Sequence, residues 1–127
     1  MADIPEDLLY NIDHDWVRVE DDIGTCGITD YAQGELGDIV FLELPEAGDL
    51  VAQGEPYGTI EAVKTVSDLI SPVSGEIVEI NTQLTEDASL VNSEPYNEGW
   101  MIRVRLSDAG EMDDLMDASA YAGTLDE

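Results

Sequence analysis

Positive charge is scarce in this chain. Its 127 residues include 30 Asp and Glu but only four Lys and Arg, which gives a formal net charge of −26. Proteins that bind nucleic acid need a basic surface to displace the counterions of the phosphates, so the composition argues against that class of function. Anionic membrane surfaces are disfavoured for the same electrostatic reason.

Cysteine and histidine each occur once, as Cys26 and His14. A lone cysteine cannot form an intrachain disulfide, which fits a reducing cytosol. One His and one Cys are too few for a zinc site, and we interpret His14 as a structural or rim residue. The sequence also lacks a D-x-D-x-D-G loop for calcium, so we expect no metal site.

Signals for catalysis, export and membrane insertion are missing as well. The sequence contains no G-x-S-x-G, G-x-x-x-x-G-K or G-x-G-x-x-G motif. Its opening lacks the basic region and long apolar run of a signal peptide, and no apolar run approaches the length of about 18 residues that spans a bilayer. We therefore expect a cytoplasmic protein that does not enter the membrane.

The acidic residues are spread along the chain rather than gathered in a tail. Hydrophobic residues make up 43% of the sequence, which is enough for a packed core. An even acidic coat suggests a halophilic protein, because at about 1 M salt the Debye length is only about 3 Å and carboxylate repulsion is screened. We expect one monomeric domain over 1–127, with its core over 10–106 and a helical segment over 108–123.

Short apolar runs separated by Gly, Pro and Asn predict a mostly β protein. The predicted strands are 16–19, 23–28, 39–44, 57–63, 68–70, 76–80 and 100–106. The last strand alternates, with Trp100, Ile102, Val104 and Leu106 on one face and Met101, Arg103 and Arg105 on the other. Such alternation is typical of a strand with one buried face.

Two helices are predicted. A short helix over 29–36 has Thr29 or Asp30 as its N-cap and Gly37 as its stop. A second helix is expected near the C-terminus. There the spacing i, i+3, i+4, i+7 is followed by Met112, Leu115, Met116 and Ser119.

The middle of the chain contains four pairs of similar fragments in the same order. GDIV at 37–40 recurs as GEIV at 75–78, LPE at 44–46 as LTE at 84–86, LV at 50–51 and 90–91, and EPY at 55–57 and 94–96. Two similar β halves predict a flattened pseudo-twofold β-sandwich or barrel. Two copies are too few for a solenoid or propeller.

Lys64 is the only lysine, and it lies between the two similar halves. We place it at the tip of a hairpin, where a side chain is presented to solvent and to large partners. A Schiff-base nucleophile needs burial or a cationic neighbour, whereas Glu61 and Asp68 would favour the charged form of the amine. The sequence therefore favours modification of Lys64 by another enzyme over catalysis by the chain itself.

Several motifs resemble those of the H protein family of the glycine cleavage system. The members of that family are lipoyl carriers. The matching segments are HDWV at 14–17, GITDYAQ at 27–33, LGDIV at 36–40, LP at 44–45, EAVK at 61–64, SDL at 67–69, SPVSGE at 71–76, VN at 91–92, PY at 95–96 and GW at 99–100. The resemblance implies the hybrid fold shared by lipoyl and biotinyl carriers. It also implies lipoate in amide linkage on Lys64, with Glu61 and Gly75 recognised by the lipoylating enzyme.

Three positions depart from the family pattern. Ala62 stands where the family usually has Ser, and Asp15 stands where it usually has Glu. Many members have His in place of Tyr31, in a region that shelters the loaded arm. None of these changes removes the attachment lysine.

The resemblance implies a non-catalytic shuttle with three partner enzymes. A pyridoxal-phosphate glycine decarboxylase (P protein) loads the lipoyl arm with an aminomethyl group, and a tetrahydrofolate-dependent aminomethyltransferase (T protein) removes it. A flavin-dependent dihydrolipoamide dehydrogenase (L protein) reoxidises the arm, and the chemistry belongs to the cofactors. The alternatives are a biotin carrier, an H-like lipoate donor or scaffold for other enzymes, and a self-sufficient Schiff-base enzyme.

Overall fold

Two antiparallel β-sheets form the body of the protein in the computed structural model, which describes residues 4–125. The strands are β1 (Leu9–Tyr10), β2 (Asp15–Glu20), β3 (Ile23–Ile28), β4 (Ile39–Glu43), β5 (Leu50–Val51), β6 (Pro56–Ala62), β7 (Val66–Ile70), β8 (Gly75–Ile80) and β9 (Ile102–Leu106). One sheet has six strands in the order β1-β2-β3-β9-β8-β5, and the other has three in the order β4-β6-β7. The predicted mostly β, two-sheet fold is confirmed.

The inward residues of both sheets form one hydrophobic core. The larger sheet contributes Val17, Cys26, Ile77, Ile102 and Val104, and the smaller sheet contributes Leu42, Ile60 and Leu69. Successive side chains of a regular strand point to opposite faces, so buried positions recur with a period of two, as Ile102 and Val104 do in β9. The core holds the two sheets face to face.

A second, separate cluster joins the two ends of the chain. Its buried members are Leu8, Tyr10, Trp16, Tyr96, Ala118 and Tyr121. The rings of Tyr10 and Tyr121 stack with their centroids 4.6 Å apart. This cluster packs the C-terminal segment against β1 and β2.

Four short α-helices connect or flank the strands among the described residues. They are α1 (Asp30–Leu36), α2 (Gln83–Glu86), α3 (Leu90–Ser93) and α4 (Ala118–Thr124), and a 3₁₀ helix covers Ala109–Asp114. The prediction for α1 is confirmed, because the Thr29 hydroxyl accepts a hydrogen bond from the Ala32 amide and Gly37 ends the helix with a φ of 83°. No helix within residues 4–125 combines the length and the apolar character needed to cross a bilayer.

The predicted C-terminal helix is present, but its predicted phase is wrong. Leu115 is extended, and the backbone of Met116 pairs with that of Tyr10 through two N···O contacts of 2.8 Å and 2.7 Å. This pairing interrupts the helical spacing that begins at Met112. Helix α4 starts only after Asp117, whose carboxylate accepts a hydrogen bond from the Ala120 amide at 2.8 Å.

Several predicted strand ends are corrected by the structure. Most predicted strands differ from the observed ones by one or two residues, and the two-residue strands β1 and β5 were not predicted. The last strand begins at Ile102, so Trp100 and Met101 lie outside it. Met101 is fully buried rather than facing solvent with the arginines, because the Tyr57 hydroxyl contacts its Sδ at 3.5 Å in the core.

The four pairs of similar fragments correspond in structure only at the first pair. Gly37 and Gly75 both have positive φ, at 83° and 154°; Gly37 lies two residues before β4, and Gly75 is the first residue of β8. By contrast, residues 50–51 form β5 whereas residues 90–91 begin α3, and residues 94–96 form no strand. The fragment matches therefore overstated the similarity of the two halves.

Residues 1–3 and 126–127 of the predicted domain lie outside the described residues.

Candidate functional site

Strands β6 and β7 form the predicted hairpin, and Lys64 lies at its tip. The turn is closed by the Ala62 amide, which donates to the Thr65 carbonyl at 2.8 Å. The Val63 amide donates to the Asp38 carbonyl at 3.0 Å, which ties the tip to the segment before β4. The Lys64 side chain is exposed to solvent on this fixed turn.

The Lys64 side chain rests on the end of helix α1. A Cβ at Gly37 would lie 3.5 Å from Cε of Lys64 and 3.9 Å from its Nζ. Gly37 also has a φ of 83°, a backbone region that glycine enters without steric cost. A glycine at this position therefore serves both the helix stop and the path of the lysine.

Asn92 braces the same corner from helix α3. Its side-chain amide donates to Oε1 of Gln33 and to the Gly37 carbonyl, both at 2.9 Å. Its Oδ1 accepts a hydrogen bond from the Ile39 amide at 2.9 Å. One side chain thus joins the end of α1, the start of β4 and α3, beside the point where Lys64 lies.

A cavity of about 280 Å³ lies between helix α1 and the hairpin. Its apolar lining consists of Ile28, Ala32, Leu36, Ile60 and Leu69, and its acidic lining consists of Asp13, Asp15, Glu35 and Asp68. His14, Tyr31 and Ser67 complete the wall. Apolar walls suit a carbon and sulfur ring, and carboxylates suit a cationic group.

Asp15 is a buried carboxyl group in this wall. Its Oδ2 accepts a hydrogen bond from the Asn11 side-chain amide at 3.3 Å, and its backbone amide donates to Asn11 Oδ1 at 2.9 Å. Burial raises the pKa of Asp15 well above its ordinary value, although the Asn11 hydrogen bond acts in the opposite direction. A cation placed beside Asp15 would offset this cost of ionising the buried group.

His14 is held by aromatic residues in the cavity wall. Its Nδ1 lies 2.9 Å from the hydroxyl of Tyr121, and its ring lies 4.8 Å from that of Tyr31. Burial lowers the pKa of His14, against the raising effect of Asp13 and Glu35. The Tyr121 hydroxyl also contacts the Thr29 hydroxyl at 2.7 Å, so α4 is linked to the start of α1.

The two residues predicted to guide lipoylation lie in different sheets. Glu61 is on β6, three residues before Lys64, and it pairs with Phe41 on one side and Val66 on the other. Gly75 opens β8 in the six-stranded sheet, with a φ of 154°. A Cβ at Gly75 would lie 2.0 Å from the Arg105 carbonyl oxygen, so this position requires glycine for strand packing.

Sequence reasoning did not identify Gly37 and Asn92 as site residues. Gly37 was predicted as a helix stop and as part of a repeated fragment and a family motif, and Asn92 only as part of a family motif. The sequence gives no sign of the contacts that Asn92 makes, because they join residues 53 to 59 positions apart. Within residues 4–125, no group of three or more His, Cys, Asp and Glu side chains is arranged to hold a metal ion.

Comparison with known proteins gives one consistent result. The family model described as Glycine cleavage H-protein matches residues 8–127. A glycine cleavage system H protein from Rubrobacter xylanophilus is 58% identical over 127 residues, which is 100% of this chain and 98% of the relative. The H protein from Symbiobacterium thermophilum is 52% identical and covers 95% of this chain and 94% of the relative.

A solved structure matches the whole architecture. The crystal structure of a glycine cleavage system H protein from Mycobacterium marinum superposes with a TM-score of 0.89 at 43% identity. The match covers 96% of this chain and 98% of that chain.

Proposed function

Because this chain belongs to the glycine cleavage H-protein family, the lipoyl-carrying shuttles of the glycine cleavage system, we propose that Lys64 is its point of lipoyl attachment. One observation carries the proposal. The family carries lipoate covalently on a lysine, and this chain contains a single lysine. That lysine lies exposed on the tip of the β6–β7 hairpin.

The surroundings of Lys64 fit a lipoyl group. The amine is exposed on a turn closed by a backbone hydrogen bond, so an acylating enzyme meets it in a fixed position. The cavity beside the hairpin has an apolar lining that would remove a dithiolane ring from water. When bound, the lipoyl group supplies the disulfide that takes an aminomethyl group from one enzyme and gives it to another.

The carboxylates of the cavity would hold a positively charged group. Asp15, Glu35 and Asp68 reach the cavity from β2, α1 and β7 respectively. Charges placed around a partly closed cavity interact more strongly than charges in water. Tyr31 and His14 contact each other at one wall and would limit the entry of water. The chain thereby orients and shelters the arm without adding a reacting group of its own.

Glu61 and Gly75 support lipoylation in different ways under this proposal. Glu61 is partly exposed on the hairpin strand and offers a charge that the lipoylating enzyme can read. Gly75 is buried in the six-stranded sheet and acts through the fold. The carbonyl of Arg105 leaves no room for any other residue at Gly75.

The proposal extends to partners and setting. The partners are the glycine decarboxylase, the aminomethyltransferase, the dihydrolipoamide dehydrogenase and a lipoylating enzyme, and the chain itself acts as a non-catalytic carrier. We place the protein in the cytosol of a salt-adapted cell. The buried free thiol of Cys26 and the net charge of −26 support that placement.

Intact-mass analysis of natively purified protein tests the attachment site. We expect the mass of one lipoyl amide, mapped by proteolysis to the peptide that contains Lys64. Lys64→Arg should keep the circular dichroism spectrum and melting temperature and lose the added mass. Unmodified Lys64 in cells that lipoylate their other carriers would contradict the proposal, and a biotin mass would assign the chain to the biotin carriers.

A further inference from the structure

Strand β4 contains a bulge next to the hairpin. Its pairing with β6 shifts between Ile39 and Phe41, so Val40 is an extra residue in the ladder. Ile39 and Leu42 point into the core at 4% and 3% exposure, whereas Val40 and Phe41 are 56% and 50% exposed. The bulge thus turns two consecutive apolar side chains toward solvent, where a regular strand would expose one.

The exposed side chain of Phe41 lies in the same row as Glu61. Phe41 pairs with Glu61 and Glu61 pairs with Val66, and directly paired residues of a sheet project from the same face. Glu43 and Thr59 form the next pair on the same face of the sheet, and there the Thr59 hydroxyl donates to the Glu43 carboxylate at 3.4 Å. Side chains of directly paired residues are therefore in contact on this face. Glu61 is therefore flanked by an apolar group on each side.

Exposed apolar side chains concentrate around Lys64. Among the described residues, the large apolar side chains most exposed near the hairpin are Val40, Phe41, Val63 and Val66, the last two at 74% and 63% exposure. In a chain with 30 acidic residues, four such groups beside the only lysine form a distinct surface. We call Val40, Phe41, Val63 and Val66 the tip patch.

We propose that the tip patch, with Glu61 at its centre, is the docking surface for the enzyme that lipoylates Lys64. The proposal rests on the proposed function of Lys64. The partner surface has a basic group that pairs with Glu61, and apolar groups on either side of it that cover Phe41 and Val66. Val40 and Phe41 lie on β4, outside the hairpin, and they determine which acylating enzyme binds the tip.

The chemistry of the modification selects this occupant. An enzyme that acts on the dithiolane meets it at the far end of a long arm and need not touch the hairpin. The lipoylating enzyme must bring Nζ of Lys64 into its own active site, so it has to cover the residues around the tip. A second copy of this chain is a poor occupant, because its like charge repels.

Lipoylation kinetics of the apo-protein test the proposal with two matched pairs of variants. A purified lipoate ligase is supplied with lipoate and ATP. Lipoyl adenylate forms as pyrophosphate leaves, and the Lys64 amine, having lost a proton, forms the amide as AMP leaves. Phe41→Ala is compared with Leu50→Ala, since Leu50 is 81% exposed on the other sheet, and Val66→Thr is compared with Val19→Thr.

We expect Phe41→Ala to raise the KM for the apo-protein about tenfold and Val66→Thr about threefold, with kcat within about twofold of wild type, because each removes apolar contact area. The two control variants should match wild type. Raising potassium chloride from 0.05 to 0.5 M should shrink the defect of Glu61→Gln but leave that of Phe41→Ala, because salt screens charge and not apolar burial.

Three outcomes would overturn the proposal. Equal KM values for Phe41→Ala and Leu50→Ala, with wild type acylated at Lys64, would remove the tip patch and leave the attachment site intact. The Phe41→Ala variant can also be lipoylated fully by long incubation and then assayed as the carrier for glycine decarboxylase. If its rate in that assay falls by the same factor as its lipoylation rate, the patch belongs to the cleavage enzymes. Wild type without acylation at Lys64 would remove the proposed function as well.

Discussion

At the scale of the residue, Gly75 illustrates how a motif position can act through the backbone. Its φ of 154° is one that other residues rarely adopt, and a Cβ there would overlap the Arg105 carbonyl oxygen. A glycine that is needed for recognition and a glycine that is needed for folding look the same in a sequence. Gly75 lies in the six-stranded sheet and not in the hairpin that carries Lys64, which favours the folding role.

Gly75→Ala should therefore destabilise the protein by about 3 kcal/mol, because the added methyl group forces two paired strands apart. Urea unfolding measures the change. Gly34→Ala is the matched control, since Gly34 lies in helix α1 with no atom within 4 Å of a new Cβ, and it should be neutral or stabilising. Lipoylation of the folded fraction of Gly75→Ala should equal that of wild type, and a selective loss would restore the recognition role.

The buried carboxyl of Asp15 gives a prediction for pH. Because burial raises its folded-state pKa, the folded protein keeps the proton to a higher pH than the unfolded chain, whose ordinary value is 3.8. The contribution of protonated Asp15 to the free energy of unfolding is therefore fully present below pH 3.8, and it is lost as the pH rises through the raised pKa. Asp15→Asn cannot ionise, so its stability relative to wild type should rise across this window and then level off.

Urea unfolding of wild type and Asp15→Asn at a series of pH values measures that difference. The comparison removes effects common to both chains, including His14, whose lowered pKa acts in the opposite sense as pH falls below its ordinary 6.5. A gap between the two chains that stays constant from pH 4 to pH 8 would mean that Asp15 keeps an ordinary pKa in the folded protein.

At the scale of the element, the sequence predicted those boundaries that neighbouring residues determine, and it failed where a contact distant in sequence determines them. Helix α1 was predicted because Thr29 and Gly37 are its own start and stop. The C-terminal helix was predicted out of phase because Met116 pairs with Tyr10, a residue more than 100 positions away, and no local pattern shows that contact. The bulge in β4 was missed for the same reason, since it exists only relative to β6.

Some parts of the candidate site could likewise be predicted from the sequence, and others could not. Lys64 and Glu61 could be placed on a hairpin because the strands that carry them are adjacent in sequence. The cavity could not be predicted, because its wall joins β2, α1 and β7. Asn92 reaches the site from α3 through side-chain hydrogen bonds that no propensity describes.

Asn92→Ala should loosen the junction of α1, α3 and β4. The substitution leaves the amide of Ile39 and the carbonyl of Gly37 without their partner, which should cost about 1–3 kcal/mol. Hydrogen exchange at Ile39 should become faster than in wild type. Asn97→Ala is the control, because its exposed side chain makes only a 3.3 Å contact with Glu94, and it should change neither measurement.

At the scale of the whole molecule, the few cations are used in specific contacts. Within the described residues, the ion pairs are Arg103 with Glu79 at 2.6 Å and Arg105 with Glu76 at 3.4 Å. Arg18 donates to the Tyr96 carbonyl at 3.1 Å. Because 30 acidic residues share four Lys and Arg residues in the sequence, most of the carboxylates cannot have a basic partner of their own.

Stability should consequently depend on salt. Two unit charges 4 Å apart repel by about 1 kcal/mol in water, and folded domains have margins of about 5–15 kcal/mol, so summed repulsion can consume much of the margin. We expect the melting temperature to rise markedly between dilute and molar potassium chloride, and sodium sulfate at matched ionic strength to do at least as well. A melting temperature that stays flat from 0.05 to 3 M would leave the acidic composition unexplained.

The separation of the two hydrophobic clusters has an optical consequence. Both tryptophans belong to the cluster that joins the chain ends, with Trp16 inside it and Trp100 packed against it. The indole of Trp16 donates to the Pro95 carbonyl at 2.9 Å. Tryptophan emission therefore reports mainly the packing of the chain-end cluster, while far-ultraviolet dichroism reports the backbone of the sheets. Comparing the two signals during unfolding shows whether the cluster opens together with the sheets or before them.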